Sequence, residues 1–102
     1  MGWLPRRRKG RPGTLRNASS ADVDHLTDFV RSRHGVEAYL EPRTAVTETT
    51  VVLVAATGEW TRRRVDGASG AASFAKKHAI PLYDAQTVGY PKRMRDWRHA
   101  GG

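Results

Sequence analysis

The 102-residue chain contains no cysteine. This excludes disulfide bonds, thiolate metal ligands and a cysteine nucleophile. Long apolar runs are also missing: the longest is Val51–Ala56, whereas a membrane-spanning helix needs ~20 apolar residues. The basic N-terminus is not followed by an apolar stretch, so no signal peptide is predicted. We therefore expect one small cytoplasmic domain with no membrane partner, since domains commonly run ~100–150 residues.

Constellations of catalytic or metal-binding residues are equally scarce. The four histidines (His25, His34, His78 and His99) are scattered and fit no zinc spacing. Glu37 and Glu41 share one face of a predicted strand but lie about 13 Å apart at ~3.3 Å per residue, too far for one acid/base pair. We predict no catalytic residue, no metal and no cofactor.

Charge is plentiful, and its distribution along the chain is uneven. The net charge is +8. Residues 1–18 carry +6 with no acid, and residues 92–99 carry +3, whereas residues 19–91 hold eight cations and nine acids. Concentrated positive charge indicates either a polyanionic partner or a solubilising tail.

Residues 1–18 have the composition of a disordered basic arm. Two prolines, three glycines and six cations leave few large apolar side chains. Such a segment cannot bury enough surface to offset its ordering entropy. We predict that its cations bind nucleic-acid phosphates: Arg6, Arg7, Arg8, Lys9, Arg11 and Arg16.

Residues 19–90 read as an α+β domain. Ser19 and Asp22 form a capping-box pattern that predicts a helix over about 20–34. Period-two alternation and β-branched residues predict three strands, and a second apolar stripe predicts a helix over about 69–79. Residues 80–83 are either a short strand or an extended crossing. The expected fold is α-β-β-β-α, a small antiparallel sheet packed by two helices, with a C-terminal extension.

The stretch Arg8–Gly13 resembles an AT-hook, whose core is Arg-Gly-Arg-Pro within basic flanks. Here Lys9 stands where that family has arginine. The resemblance implies that glycine lets the backbone approach the minor-groove floor while the flanking cations follow the narrow A·T groove. A generic basic tail is the alternative, and it implies a polyanion without specifying DNA.

Residues 91–102 form a basic-aromatic segment with two interpretations. In the first, Tyr90 and Trp97 stack on bases while four cations hold phosphates. In the second, Met94 and Trp97 pack on the core and the cations are solvated. The cations concerned are Lys92, Arg93, Arg95 and Arg98.

Three consecutive arginines, Arg62, Arg63 and Arg64, lie on the third predicted strand. Alternation places Arg62 and Arg64 on one face with Trp60, and Arg63 on the other. They either protect an edge strand from aggregation or form a basic face with Trp60 as a stacking platform.

The α-β-β-β-α order resembles the double-stranded-RNA-binding domain. That family has a Lys-Lys-x-Ala-Lys run at the start of its second helix, where this chain has Gly70-Ala71-Ala72-Ser73. The resemblance therefore implies a topology and no binding residues. The Arg bias and the stretches Ala79–Asp84 and Arg95–Trp97 also resemble short Arg-rich proteins of high-GC actinobacteria, which supply no established activity.

The leading hypothesis is a non-catalytic nucleic-acid-associated protein that binds phosphates through its N-terminal arm. RNA, including ribosomal RNA, and DNA are both open, and so is an association with the ribosome or the nucleoid within the cytoplasm. The alternative is an adaptor that docks on an acidic protein and inserts Tyr90, Met94 and Trp97 into its groove. The third is a small enzyme, which would need a pocket lined by His25 or His78 with convergent carboxylates.

Overall fold

The computed structural model describes residues 19–97, and these form an α+β fold that confirms the predicted class. The predicted arm, residues 1–18, lies outside the described residues, as do residues 98–102. The elements in chain order are α1 (Ser20–Ser32), β1 (Glu37–Glu41), β2 (Thr50–Val54), β3 (Trp60–Arg64), α2 (Gly67–Lys77), β4 (Leu82–Asp84), α3 (Ala85–Val88) and α4 (Lys92–Asp96).

The sheet contains a fourth strand and is mixed. Its order is β3-β2-β1-β4. The pairs β1–β2 and β2–β3 are antiparallel, as predicted, but β4 is parallel to β1, so the sheet is not the purely antiparallel one that was expected. The stretch that the sequence left as a strand or a crossing thus contributes β4. The parallel pairing arises because α2 carries the chain from one edge of the sheet to the other, and parallel strands need such a crossover.

The first helix begins where the capping pattern places it. The Ser19 side chain accepts a hydrogen bond from the Asp22 N–H, and the Asp22 carboxylate accepts one from the Ser19 N–H. Both bonds satisfy donors that a helix start leaves unpaired. Leu26 and Phe29 are buried on the face that packs on the sheet.

Both faces of the sheet are covered, and the central strand β2 is therefore buried on both sides. The first face packs against α1 and α2 through a cluster that includes Leu26, Leu53 and Phe74. The second face carries a smaller cluster, formed by Tyr39, Val52, Val54 and Ala85 with Tyr90 and Met94 packed against it. The alternative in which Met94 packs on the core is therefore the arrangement observed for that residue.

The tip of the β2–β3 turn holds the C-terminal segment closely. Gly58 has φ +101, and a Cβ atom there would collide with the backbone carbonyl oxygen of Arg93. Glycine is required at this position both for its left-handed backbone and for the close approach. Within residues 19–97, no helix has the length and apolar character to cross a membrane.

Candidate functional site

The three described cations of the C-terminal segment all have partners within the chain. Arg93 donates to Glu37 at 2.6 Å and to the Ala55 carbonyl oxygen at 3.0 Å. Lys92 pairs with Asp96 at 2.6 Å, and Arg95 donates to the carbonyl oxygen of Tyr90 at 2.6 Å. The Lys92 and Arg95 side chains are nevertheless exposed, whereas that of Arg93 is half-buried and anchors the segment to the sheet.

The ion pair at Glu37 also involves Tyr39. The hydrogen bond from Arg93 is the largest cause that lowers the pKa of Glu37, with a further contribution from the Tyr39 hydroxyl. Burial, together with the bond to Glu37, raises the pKa of Tyr39 to about 12. Arg93 is thus a structural contact, and the role predicted for it at phosphates stays a prediction.

Tyr90 and Trp97, the two aromatic residues that were predicted to stack on bases, are both partly buried within the chain. The Tyr90 ring packs 6.1 Å from the ring of Tyr39, and its hydroxyl donates to Glu41. Trp97 is half-buried. Arg98 lies outside the described residues, as do all six predicted phosphate contacts of the arm.

The three arginines of β3 are divided between the faces as alternation predicts. Arg62 lies on the second face, with its guanidinium 5.4 Å from the centre of the Trp60 ring. Arg63 lies toward α1, where its Nε is 3.8 Å from an Asp22 carboxylate oxygen. β3 is an edge strand, so these charges also protect it from pairing with another chain.

An open cleft of about 530 Å³ lies on the second face, beside the loop formed by residues 42–49. Pockets of roughly 300–1,000 Å³ commonly hold small ligands. Its walls combine apolar groups with a few polar ones. The lining residues are Glu41, Pro42, Thr44, Thr47, Thr50, Arg62, Ala85, Gln86 and Tyr90.

Glu41 lies at the floor of this cleft with its acceptor capacity filled. Oε1 accepts from the Thr50 hydroxyl at 2.6 Å and from Arg62 Nε at 2.7 Å. Oε2 accepts from Arg62 Nη2 at 2.9 Å and from the Tyr90 hydroxyl. Burial acts to raise the pKa of Glu41, but these hydrogen bonds outweigh it and hold the pKa below its usual range.

The remaining polar groups of the cleft are available to a ligand. The Thr44 hydroxyl oxygen accepts from the backbone N–H groups of Val46 and Thr47, so its proton is donated to the Thr47 hydroxyl. The Thr47 hydroxyl therefore keeps its own proton for an acceptor. Thr50 donates to the carboxylate and keeps its lone pairs. Gln86 is exposed, and its one hydrogen bond within residues 19–97 runs from its backbone N–H to Asp84 Oδ1 at 2.8 Å, which leaves the side-chain amide for a ligand.

A second pocket, of about 330 Å³, is lined by His25, the residue that the small-enzyme hypothesis requires in a pocket. His25 Nε2 lies 2.6 Å from the Thr61 hydroxyl, and Nδ1 faces Arg63 Nη2 at 3.5 Å. Both ring nitrogens of His25 are thus in contact with side chains of β3.

Two acidic side chains, Asp28 and Glu59, line the pocket near His25. Glu59 is held by both nitrogens of a bidentate contact with Arg33, at 3.1 and 2.6 Å. Asp28 lies on the pocket wall. Among residues 19–97, no group of three or more histidine or acidic side chains is arranged to hold a metal ion.

Neither the cleft nor the contacts of Glu41 are predicted by the sequence pattern. Alternation correctly places Glu41 beside Glu37 on one face of β1. The partners of Glu41 come from β2, β3 and the C-terminal segment. Alternation identifies the face, but local patterns carry no signal for which distant residues cover it.

Comparison with known proteins finds no matching family model, no matching curated protein and no matching solved structure.

Proposed function

We propose that this chain is a non-catalytic, nucleic-acid-associated protein that binds phosphates through the cations of residues 1–18. The observation that carries the proposal is where the excess charge lies. Residues 19–97 hold eleven Lys or Arg and ten acids, whereas the rest of the sequence holds seven cations and no acid. Residues 19–97 are thus nearly balanced in charge, and the seven cations in the rest of the sequence have no acidic counterpart there.

Ion pairing within residues 19–97 supports the same division. Arg33, Arg62, Arg63, Lys92 and Arg93 each lie within 4 Å of a carboxylate oxygen. A cation that is already paired contributes less to a phosphate contact, because binding must first break the existing pair. The exposed Lys92 and Arg95 supply a second, weaker contact in this proposal, together with Trp97 and Arg98.

The adaptor alternative is less favoured by the packing. It requires Tyr90 and Met94 to enter a groove on a partner, but both pack against the sheet of this chain. Releasing them would uncover Tyr39 and Val52. Nucleic-acid binding by the basic residues needs no such rearrangement.

The test is a salt titration of binding with the full-length chain. Six neutralised phosphates predict a slope of about −5 for log K against log salt concentration. In the test variant the six cations of residues 1–18 are replaced by glutamine, which keeps the chain length. Fluorescence anisotropy with RNA and DNA oligonucleotides of mixed and A·T-rich sequence measures both affinity and slope.

We expect the variant to lose most of its affinity and to have a nearly flat salt dependence. The matched control is Lys76→Gln/Lys77→Gln, which removes two exposed charges from α2 and should reduce the slope by less than two. A six-site variant that binds as tightly as the original chain, with the same slope, would refute the proposal. Preference for A·T-rich duplex DNA would support an AT-hook at Arg8–Gly13.

A further inference from the structure

We infer that the cleft beside residues 42–49 holds one unpaired base of a single-stranded nucleic acid. The inference rests on the proposed function and deepens it, since it says which form of nucleic acid is bound. The arm would hold the phosphates, and the cleft would hold a base.

The charge of the cleft favours an uncharged group. Its two ionised side chains, Glu41 and Arg62, neutralise each other through two hydrogen bonds of 2.7 and 2.9 Å. The carboxylate has no acceptor position left for a cation or a metal ion. A phosphate would gain little from the paired guanidinium, so the occupant is the neutral part of a nucleotide.

The hydrogen-bonding groups of the cleft match the edge of a base. Thr47 offers a hydroxyl proton, Thr50 offers lone pairs, and Gln86 offers both a donor and an acceptor from one planar amide. Paired donors and acceptors in one plane are what the edge of a base presents. The groups are few, and they are set among the apolar surfaces of Pro42 and Ala85.

The aromatic wall supplies the contact that a flat heterocycle uses. Tyr90 lines the cleft, and its hydroxyl bond to Glu41 and its packing on Tyr39 hold its ring in place. A fixed aromatic ring is a favourable stacking partner because little side-chain entropy is lost on binding. A base inside a duplex is stacked and paired, so only an unpaired base can enter.

The experiment compares single-stranded and duplex oligonucleotides of the same length, using the full chain and anisotropy. The test variants are Gln86→Ala and Thr47→Val, and Thr87→Ala is the matched control, since Thr87 is exposed next to Gln86 but does not line the cleft. We expect each test variant to lose about fivefold in affinity for single strands, the loss of one hydrogen bond. Duplex affinity and the salt slope should stay unchanged.

NMR titrations with a nucleoside, a nucleoside monophosphate and a neutral sugar identify the occupant. Shifts of the Gln86 and Tyr90 backbone amides with the two base-containing compounds, weaker than with the strand, support the inference. Shifts with the sugar alone would overturn it. A free nucleotide that binds more tightly than the strand would also overturn it, because the site would then serve free nucleotides.

The two proposals fail in different ways. If the arm variant loses all binding while Gln86→Ala and Thr47→Val bind single strands like the original chain, the cleft inference is wrong and the proposed function stands. If the original chain binds neither strands nor duplexes, both are wrong. Equal thermal unfolding midpoints for Gln86→Ala and Thr87→Ala show that a loss of affinity reflects the cleft and not the fold.

Discussion

Replacing Glu41 by glutamine removes half of the hydrogen-bond acceptors at the floor of the cleft. The carboxylate accepts four bonds, two at each oxygen, from Thr50, Arg62 and Tyr90. Glutamine keeps one oxygen and places an NH₂ group where the other stood, so donors face a donor. Because the Glu41 side chain is only 19% exposed, water cannot fully replace the lost bonds.

The contribution of the Glu41–Arg62 ion pair to the free energy of unfolding depends on how exposed the two side chains are. Exposed pairs contribute ~0.2–1 kcal/mol, and breaking a fully buried pair costs ~3–5 kcal/mol. Arg62 is 45% exposed and Glu41 is 19% exposed, and one bidentate contact, made of two hydrogen bonds, joins them. We therefore expect a coupling free energy of about 1.5 kcal/mol between these two side chains, after allowing for solvent screening.

A double-mutant cycle measures this coupling directly. Urea unfolding of the original chain, Glu41→Gln, Arg62→Gln and the double variant gives the four free energies of unfolding. The control cycle uses Lys92 and Asp96, whose side chains are 79% and 59% exposed, with an expected coupling of about 0.4 kcal/mol. Equal couplings in the two cycles would refute the argument that burial strengthens the pair at Glu41.

The pH dependence of the same cycle gives an independent check. The folded pKa of Glu41 lies below its usual range, so its contribution to stability is fully present above the unfolded pKa of ~4.3. It is lost as the pH falls through the folded pKa. The coupling should therefore be constant from pH 7 to pH 5 and disappear at lower pH. A coupling that already declines between pH 7 and pH 5 would contradict this assignment.

Three further predictions concern the fold. Leu26→Ala, at a fully buried position, should lower the free energy of unfolding, measured with urea, by about 3 kcal/mol. Val23→Ala, at a side chain 40% exposed, should lower it by less than about 1 kcal/mol. Equal losses would contradict the packing of α1. Burial lowers the pKa of His78, so stability should fall as the pH drops below ~6.5, where the unfolded chain takes up a proton first. The thermal midpoint of His78→Leu should change less between pH 7 and pH 5, and a parallel decline would argue against it. Gly58→Ala should lower the free energy of unfolding by about 3 kcal/mol, because its Cβ would collide with a backbone carbonyl of α4. Gly67→Ala, at φ +70 with open space around it, should lower it by about 1 kcal/mol. Calorimetry that ranks the two variants in reverse would refute the close approach at Gly58.

Elements whose signals are local can be predicted from the sequence. Ser19 and Asp22 mark the start of α1, and the helix begins there because the capping bonds form between residues three apart. Alternation along β1 and β3 correctly assigned their faces, since successive side chains of a strand point to opposite sides. The uneven distribution of charge is also a property of the sequence alone, and the proposed function rests on it.

The tertiary structure alone decided what meets across the sheet. No local pattern shows that the chain returns as β4 beside β1, or that residues after Tyr83 cover the second face of the sheet. Those contacts give Arg93 its carboxylate partner Glu37 and give Glu41 its hydroxyl donor Tyr90, 49 residues further along the chain. The physical reason is that periodicity reports which side of an element is buried, whereas the choice of partner depends on the packing of segments far apart in sequence. The cleft exists only because of that packing.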